Sequence, residues 1–383
     1  MIHQNQTQNQ ARNPTDVRDS DKVTDIPEDI FSFLFANYPP DDVDIPLSLV
    51  SPNDSIWDQH RTATQRVSEI YNNHPEFQKW GERTADCSPW LLFKDVESKF
   101  KLSEAFFCHV RMCPTCQWRK SLYEKARAYR AMDIILNNPD YENLSFIFLT
   151  LTVENCPVSE LRLTLSKMNK SWKRLIEREI YEKTFKGFVK MTEITRDKKR
   201  PNTHAHPHFH VLLVANKSYF TDPKKYLNSN RWAELWGDCL RVGYVPVVDV
   251  RGIRPKRKKG VKLTDLTPQE RKDGIRSAVA ELIKYSVKPA DMLGDGSQAS
   301  HEWFLELSRQ IKGLKFVSSG GILKDLLRDR VLSDDDMVHV GESDASDDAV
   351  SASDSDDKRR ISFRYRPTKE GYYYDPRYNE GDT

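Results

Sequence analysis

The chain has 383 residues, 38% hydrophobic and 30% charged, enough to bury a full core in two domains or in one with a sizeable accessory region. No apolar run approaches the roughly 20 residues of a membrane span, and the polar N-terminus lacks an apolar signal core, so a cytoplasmic protein is expected. The net charge of +2 hides a segregation: residues 334–357 hold ten acidic side chains and no Lys or Arg, and without them the chain stands at +12, a balance that suits a polyanionic partner.

Residues 1–25 are rich in Asn, Gln and Asp, show no periodicity and are expected to be disordered. Residues 26–137 read as a Cys-rich N-terminal accessory or DNA-binding region. It carries an apolar cluster at Ile30, Phe31, Phe33, Leu34 and Phe35, a helix over 58–73, four of the six cysteines within 83–120, and a helix over 117–137. From 138 to 333 the pattern alternates. Residues 145–153 (SFIFLTLTV) are β-branched and aromatic and read as a strand. Residues 159–182 read as an amphipathic helix with Leu161, Leu165, Met168, Trp172 and Leu175 on one side.

Residues 188–195 and 209–214 read as paired strands joined by the polar stretch 196–203. A helix over 224–238 and a strand over 244–250 follow. A basic loop, Arg254-Pro255-Lys256-Arg257-Lys258-Lys259-Gly260, leads to a helix over 268–287. Residues 301–329 add a helix, a short strand, a Gly320-Gly321 turn and a last helix. The sum is an α+β domain on a mostly antiparallel sheet flanked by helices. Residues 334–383, acidic and then Tyr/Arg-rich, read as a mobile tail.

Alternation along a strand places His206, His208 and His210 on one face and Phe209, Val211 and Leu213 on the other. Phe209 and its apolar neighbours would enter the core and leave the imidazoles on a cleft. A single histidine in this setting would be an ordinary polar face; three at alternate positions point to a metal. Glu193, near the end of the preceding strand, is placed to add an oxygen ligand. Imidazole with carboxylate suits Mn²⁺, Mg²⁺ or Zn²⁺, with Mg²⁺ the poorest match to nitrogen.

Glu281, Tyr285 and Lys288 are spaced i, i+4, i+7 and share one face of a helix, with Ile283 and Val287 on another side to anchor it. A phenol is a poor nucleophile at its unperturbed pKa of about 10. A cation on the phosphate and a nearby ammonium such as Lys288 would assist it, and Glu281 can act as a base. Alone, such a helix equally describes an ordinary exposed surface.

Three segments together resemble, in order, the motifs of the HUH endonucleases, and within them the rolling-circle plasmid replication initiators of the Gram-positive single-tyrosine type. They are Phe148-Leu149-Thr150-Leu151-Thr152, His206-Pro207-His208-Phe209-His210-Val211-Leu212-Leu213, and the run from Glu281 to Lys288. The run from Cys108 to Lys120 and Cys87 are similar to this family too, and the resemblance spans roughly residues 83–330. It implies an HUH, ferredoxin-like antiparallel sheet and a divalent cation, Mn or Mg. It also implies Tyr285 as nucleophile, Glu281 in place of a second tyrosine, a plasmid double-strand origin as DNA partner, and a host helicase and DNA polymerase.

Cys87, Cys108, Cys113 and Cys116 read either as a four-thiolate zinc site or as reduced cysteines around a tight turn, and Cys156 and Cys239 as buried and isolated. Arg254, Lys256, Arg257, Lys258 and Lys259 read as DNA contacts or as a solvated loop. The competing readings are a mobilisation relaxase or single-tyrosine transposase, which use different DNA, and a non-catalytic DNA-binding regulator that would not need Tyr285, His208 or His210. A zinc deaminase would need His-x-Glu and Pro-Cys-x-x-Cys, and neither occurs.

Overall fold

A computed structural model describes residues 44–96, 99–253, 267, 276, 279, 287–327, 337–338 and 360–375. The expectations for residues 1–25, the cluster at 30–35 and the basic loop at 254–260 lie outside these residues, as does most of the acidic stretch. Two antiparallel sheets organise what is described.

The N-terminal module begins with helix α1 (Ile56–Asn72), whose Trp57, Thr64, Val67 and Tyr71 recur at helical spacing and are buried. Helix α2 (Gln78–Ala85) follows, then the hairpin β1 (Trp90–Val96) and β2 (Lys99–Ala105). Helix α3 (Pro114–Asn137) starts with proline at its first position, where the missing N–H costs nothing.

The second sheet is built from β3 (Leu144–Thr152), a two-residue β4 (Cys156–Pro157), β5 (Phe185–Arg196), β6 (His204–Asn216), β7 (Val248–Gly252) and β8 (Val317–Gly321). Its order is β7-β3-β6-β5-β8, with β4 on β6, and every pairing is antiparallel. Its helices are α4 (Leu161–Ile176), α5 (Ser229–Leu240) and α6 (Gln298–Gln310).

The register fixes which side chains share a face. Phe148, Leu212 and Val189 lie side by side, as do Thr150, His210 and Met191, and then Thr152, His208 and Glu193. The apolar end of this face packs under α3 through Ala128, Met132 and Ile135. The imidazole end continues beyond it. On the opposite face Phe188 meets Trp172 of α4, ring centroids 5.0 Å apart, and Phe209 meets Trp236 of α5 at 6.3 Å. Among the described residues α4 and α5 pack on one face and α3 on the apolar end of the other, with the histidines toward its remaining end.

Two expectations are corrected. The segment expected to be a mobile tail contains β9 (Arg360–Arg366) and β10 (Gly371–Tyr374), which join the first sheet in the order β10-β9-β1-β2. The physical reason is alternation: Ile361, Phe363 and Tyr365, then Tyr372 and Tyr374, are buried. Tyr372 donates its hydroxyl to the Ser88 carbonyl (2.6 Å), and its N–H goes to Asp58 Oδ1 (2.8 Å). The strand expected over 244–250 runs instead over Val248–Gly252, because Pro246 has no N–H to give a ladder.

Candidate metal and DNA-processing site

Antiparallel pairing sets Glu193 on β5 directly opposite His208 on β6, and His210 stands two residues further along the same face. His208 Nε2 lies 3.0 Å and His210 Nε2 2.7 Å from one oxygen, Glu193 Oε2. The two imidazoles are nearly perpendicular, centroids 4.7 Å apart. Glu193 and His208 are buried, and the three side chains offer ligand atoms within 4.8 Å of one another.

The second ring nitrogens decide what this contact means. His208 Nδ1 lies 3.2 Å from the His206 carbonyl oxygen, which can only accept, so the proton sits on Nδ1. In neutral His208 the Nε2 lone pair then points at a carboxylate oxygen. Two acceptors at 3.0 Å require a proton or a cation between them. Neighbouring ligands on a metal bound at about 2.1 Å stand about 3 Å apart, so the donor set and its spacing fit a divalent cation. His210 Nδ1 lies 3.2 Å from Thr150 Oγ1, a hydroxyl able to donate or accept and so compatible with either tautomer. Burial alone would raise the Glu193 carboxyl, but when the two imidazoles carry a second proton their hydrogen bonds and positive charge outweigh it and hold it well below the usual carboxylate range.

His206 shares this face but is not in the ligand group. Its Nδ1 lies 2.5 Å from Asn155 Oδ1, and Asn155 in turn donates to Asp197. Burial lowers the His206 pKa.

Lys288 approaches from a separate segment, its Nζ 3.5 Å from Glu193 Oε1. The short helix Pro289–Leu293 that follows is fastened to the end of β5. Arg196 gives its N–H to Asp291 Oδ1 (3.2 Å) and its Nε to the Asp291 carbonyl (2.7 Å). Its guanidinium also reaches the Ser300 and Pro201 carbonyls and stacks 4.1 Å over the Trp303 ring. Gly294 ends this turn at φ +57, where an added Cβ would strike Ser300 Oγ and Arg196. Tyr285 and Glu281, and Arg254, Lys256, Arg257, Lys258 and Lys259, lie outside the described residues.

Sequence reading missed Thr150, Asn155 and Arg196. Thr150 carried a signal, since pairing of its strand with the His strand puts every second residue beside the imidazoles. The signal for Arg196 was absent, because its guanidinium bonds mainly backbone carbonyls, two of them on the distant segment 291–300.

The four cysteines meet in the N-terminal module, all buried, with ligand atoms within 4.8 Å of one another. Cys87 to Cys116 and Cys113 to Cys87 are each 3.5 Å between sulfurs, and Cys108 to Cys116 is 3.6 Å. These separations exceed a disulfide's roughly 2.05 Å and approach the about 3.8 Å of thiolates set tetrahedrally on zinc at about 2.3 Å. Burial alone would raise the Cys113 thiol, but hydrogen bonds from Cys108, Cys116 and Cys87 outweigh it and hold it well below its usual value. Cys156 and Cys239 are buried apart from this group.

The family model described as "Replication protein" matches residues 99–373. That span runs past the roughly 330 at which the motif resemblance was placed and takes in β9 and β10. The chain belongs to this family, the plasmid replication initiators. It is similar to the "Protein rep" of Staphylococcus aureus, 35% identical over 247 residues, which cover 61% of this chain and 97% of that one. A Bacillus "Protein rep" is 32% identical over 265 residues, 68% of this chain and 83% of the relative. That of Lactiplantibacillus plantarum is 29% identical over 303 residues, covering 78% and 90%. No solved structure matches the chain significantly. Among the described residues no helix is long and apolar enough to cross a membrane.

Proposed function

We propose that the protein starts plasmid replication by nicking one strand of the double-strand origin and holding the new 5′ end covalently. The observation that carries this reading is the Glu193–His208–His210 group with Lys288 against it. Tyr285 precedes Lys288 by three residues, and three residues of chain span at most about 11 Å.

A divalent cation, Mn²⁺ or Mg²⁺, held by Glu193, His208 and His210 would polarise the scissile phosphate and stabilise charge building on it. The Tyr285 phenol oxygen attacks phosphorus, the bond from phosphorus to the 3′ oxygen breaks, and the 3′ oxygen leaves with a proton as a primer hydroxyl. Lys288 supports the phosphate or the phenolate. Thr150 and the His206 carbonyl orient the two imidazoles. After one round Glu281 takes a proton from water for cleavage of the regenerated site. Zinc on Cys87, Cys108, Cys113 and Cys116 would cross-link the N-terminal module. A host helicase and DNA polymerase would extend the primer, and Arg254, Lys256, Arg257, Lys258 and Lys259 would hold DNA phosphates.

The test is incubation with the supercoiled parent plasmid and Mn²⁺ or Mg²⁺, followed by mapping of the nick and of protein on its 5′ end. Tyr285→Phe should abolish nick and adduct while origin binding persists. An adduct that survives this substitution overturns the assignment. A regulator that only binds DNA would behave alike with and without Tyr285, His208 and His210.

A further inference from the structure

On the face of β5 turned away from Glu193 lies a cavity of about 230 Å³ under α4, walled by Lys190, Asn169, Thr192, Lys315, Phe316 and Ser318. Lys190 is only 4% exposed. Its ammonium gives one hydrogen bond, to Asn169 Oδ1 at 2.8 Å, and stands 3.8 Å from the Phe209 ring centroid. Both partners are neutral. Among the described residues no carboxylate pairs with it.

An ammonium has three protons to give, and burying it without a counter-charge is costly. Folded proteins seldom keep such a group unless a further partner answers it. Burial pushes Lys190 down to about 8, so it remains mostly charged at neutral pH. Lys315 adds a second basic side chain to the wall, and the Arg111 guanidinium stacks 4.3 Å over the Phe316 ring. Thr192 and Ser318 supply hydroxyls and Asn169 an amide, the neutral groups that bond oxyanions. At about 30 Å³ per water, the space holds a tetrahedral oxyanion with part of its hydration shell.

We propose that this cavity binds a phosphate group, separate from the metal cluster and on the other side of the same sheet. The proposal does not depend on the nicking reading. The phosphate would come from a small phosphorylated molecule or from a DNA backbone entering beside Lys315.

Calorimetric titration of the full chain with inorganic phosphate, and separately with 5′-dAMP, tests it. The expected result is saturable binding at one site, weakened at least about tenfold by Lys190→Met. Asn169→Asp, which gives Lys190 an internal counter-charge, should weaken it likewise and serves if Lys190→Met fails to fold. Single-stranded DNA binding against salt then separates the sources. A slope reduced by about one counterion in Lys190→Met identifies a DNA phosphate, and an unchanged slope identifies a small molecule. No heat at 50 mM phosphate (roughly a hundredfold above a sub-millimolar site), or binding that survives both substitutions, overturns the proposal.

Discussion

Lys288 meets Glu193 at 3.5 Å, and three residues further along each segment Asp291 meets Arg196. The end of β5 and the chain that follows Tyr285 are thus fastened twice at matched spacing, once by an ion pair and once by a guanidinium that also stacks on Trp303.

Lys288→Ala should slow nicking by about 10-fold to 100-fold while leaving origin affinity unchanged. A time course with labelled origin DNA at saturating Mn²⁺ measures it. An unaltered rate would remove Lys288 from the chemistry.

Arg196→Lys keeps the charge but cannot reach the Asp291, Ser300 and Pro201 carbonyls together. Nicking should fall by about tenfold with cation affinity retained, since the ligands stay on β5 and β6. Parallel loss of cation binding would mean that Arg196 holds up the sheet instead of aligning the two segments.

Thr150→Val removes the partner of His210 Nδ1. Such orienting contacts are worth about 10-fold to 100-fold in metal affinity. Calorimetry with Mn²⁺ should show that loss, whereas His210→Ala or Glu193→Ala should abolish binding. Affinity equal to that of the parent protein would leave Thr150 with a packing role alone.

The lowered Glu193 carboxyl sets a pH dependence in the metal-free protein. A carboxyl whose folded pKa lies below its unfolded value adds stability at pH above the unfolded value, about 4.5, and loses it as pH falls toward the folded one. Urea midpoints should therefore drop below about pH 4.5 more steeply in the parent than in Glu193→Gln. Parallel curves would contradict the assigned direction.

Cys113→Ser should lower the Tm of the N-terminal module, and a strong chelator should lower the parent to the same level, if thiolates there hold zinc. Tyr372→Phe should cost about 1–3 kcal/mol by leaving the Ser88 carbonyl without its buried donor. Thermal melts distinguish the two, because only the first effect is reproduced by chelation.

Much of the central sheet was legible because its period is two and its strands are long. SFIFLTLTV declared itself a strand, and the His strand declared both its faces and its pairing with residues 188–195, whereas its second pairing, with SFIFLTLTV, was not read. The cysteines announced themselves by type, though the sequence left a zinc site and a tight turn as equal alternatives. Hidden were the contacts made between distant segments: Arg196 to Asp291, Thr62 to Tyr365, Tyr372 to Ser88. Composition misled most at residues 360–374, where an acidic run upstream masked a short alternating hairpin.

The return of β9 and β10 to β1 has a consequence for synthesis of the chain. The cysteine module leaves the ribosome well before residues 360–374, so its sheet waits on strands translated much later. A product that stopped before residue 360 would carry the four clustered thiols and the Glu193–His208–His210 group while lacking two strands of the first sheet. Completion of the first sheet is thereby coupled to translation through residue 374.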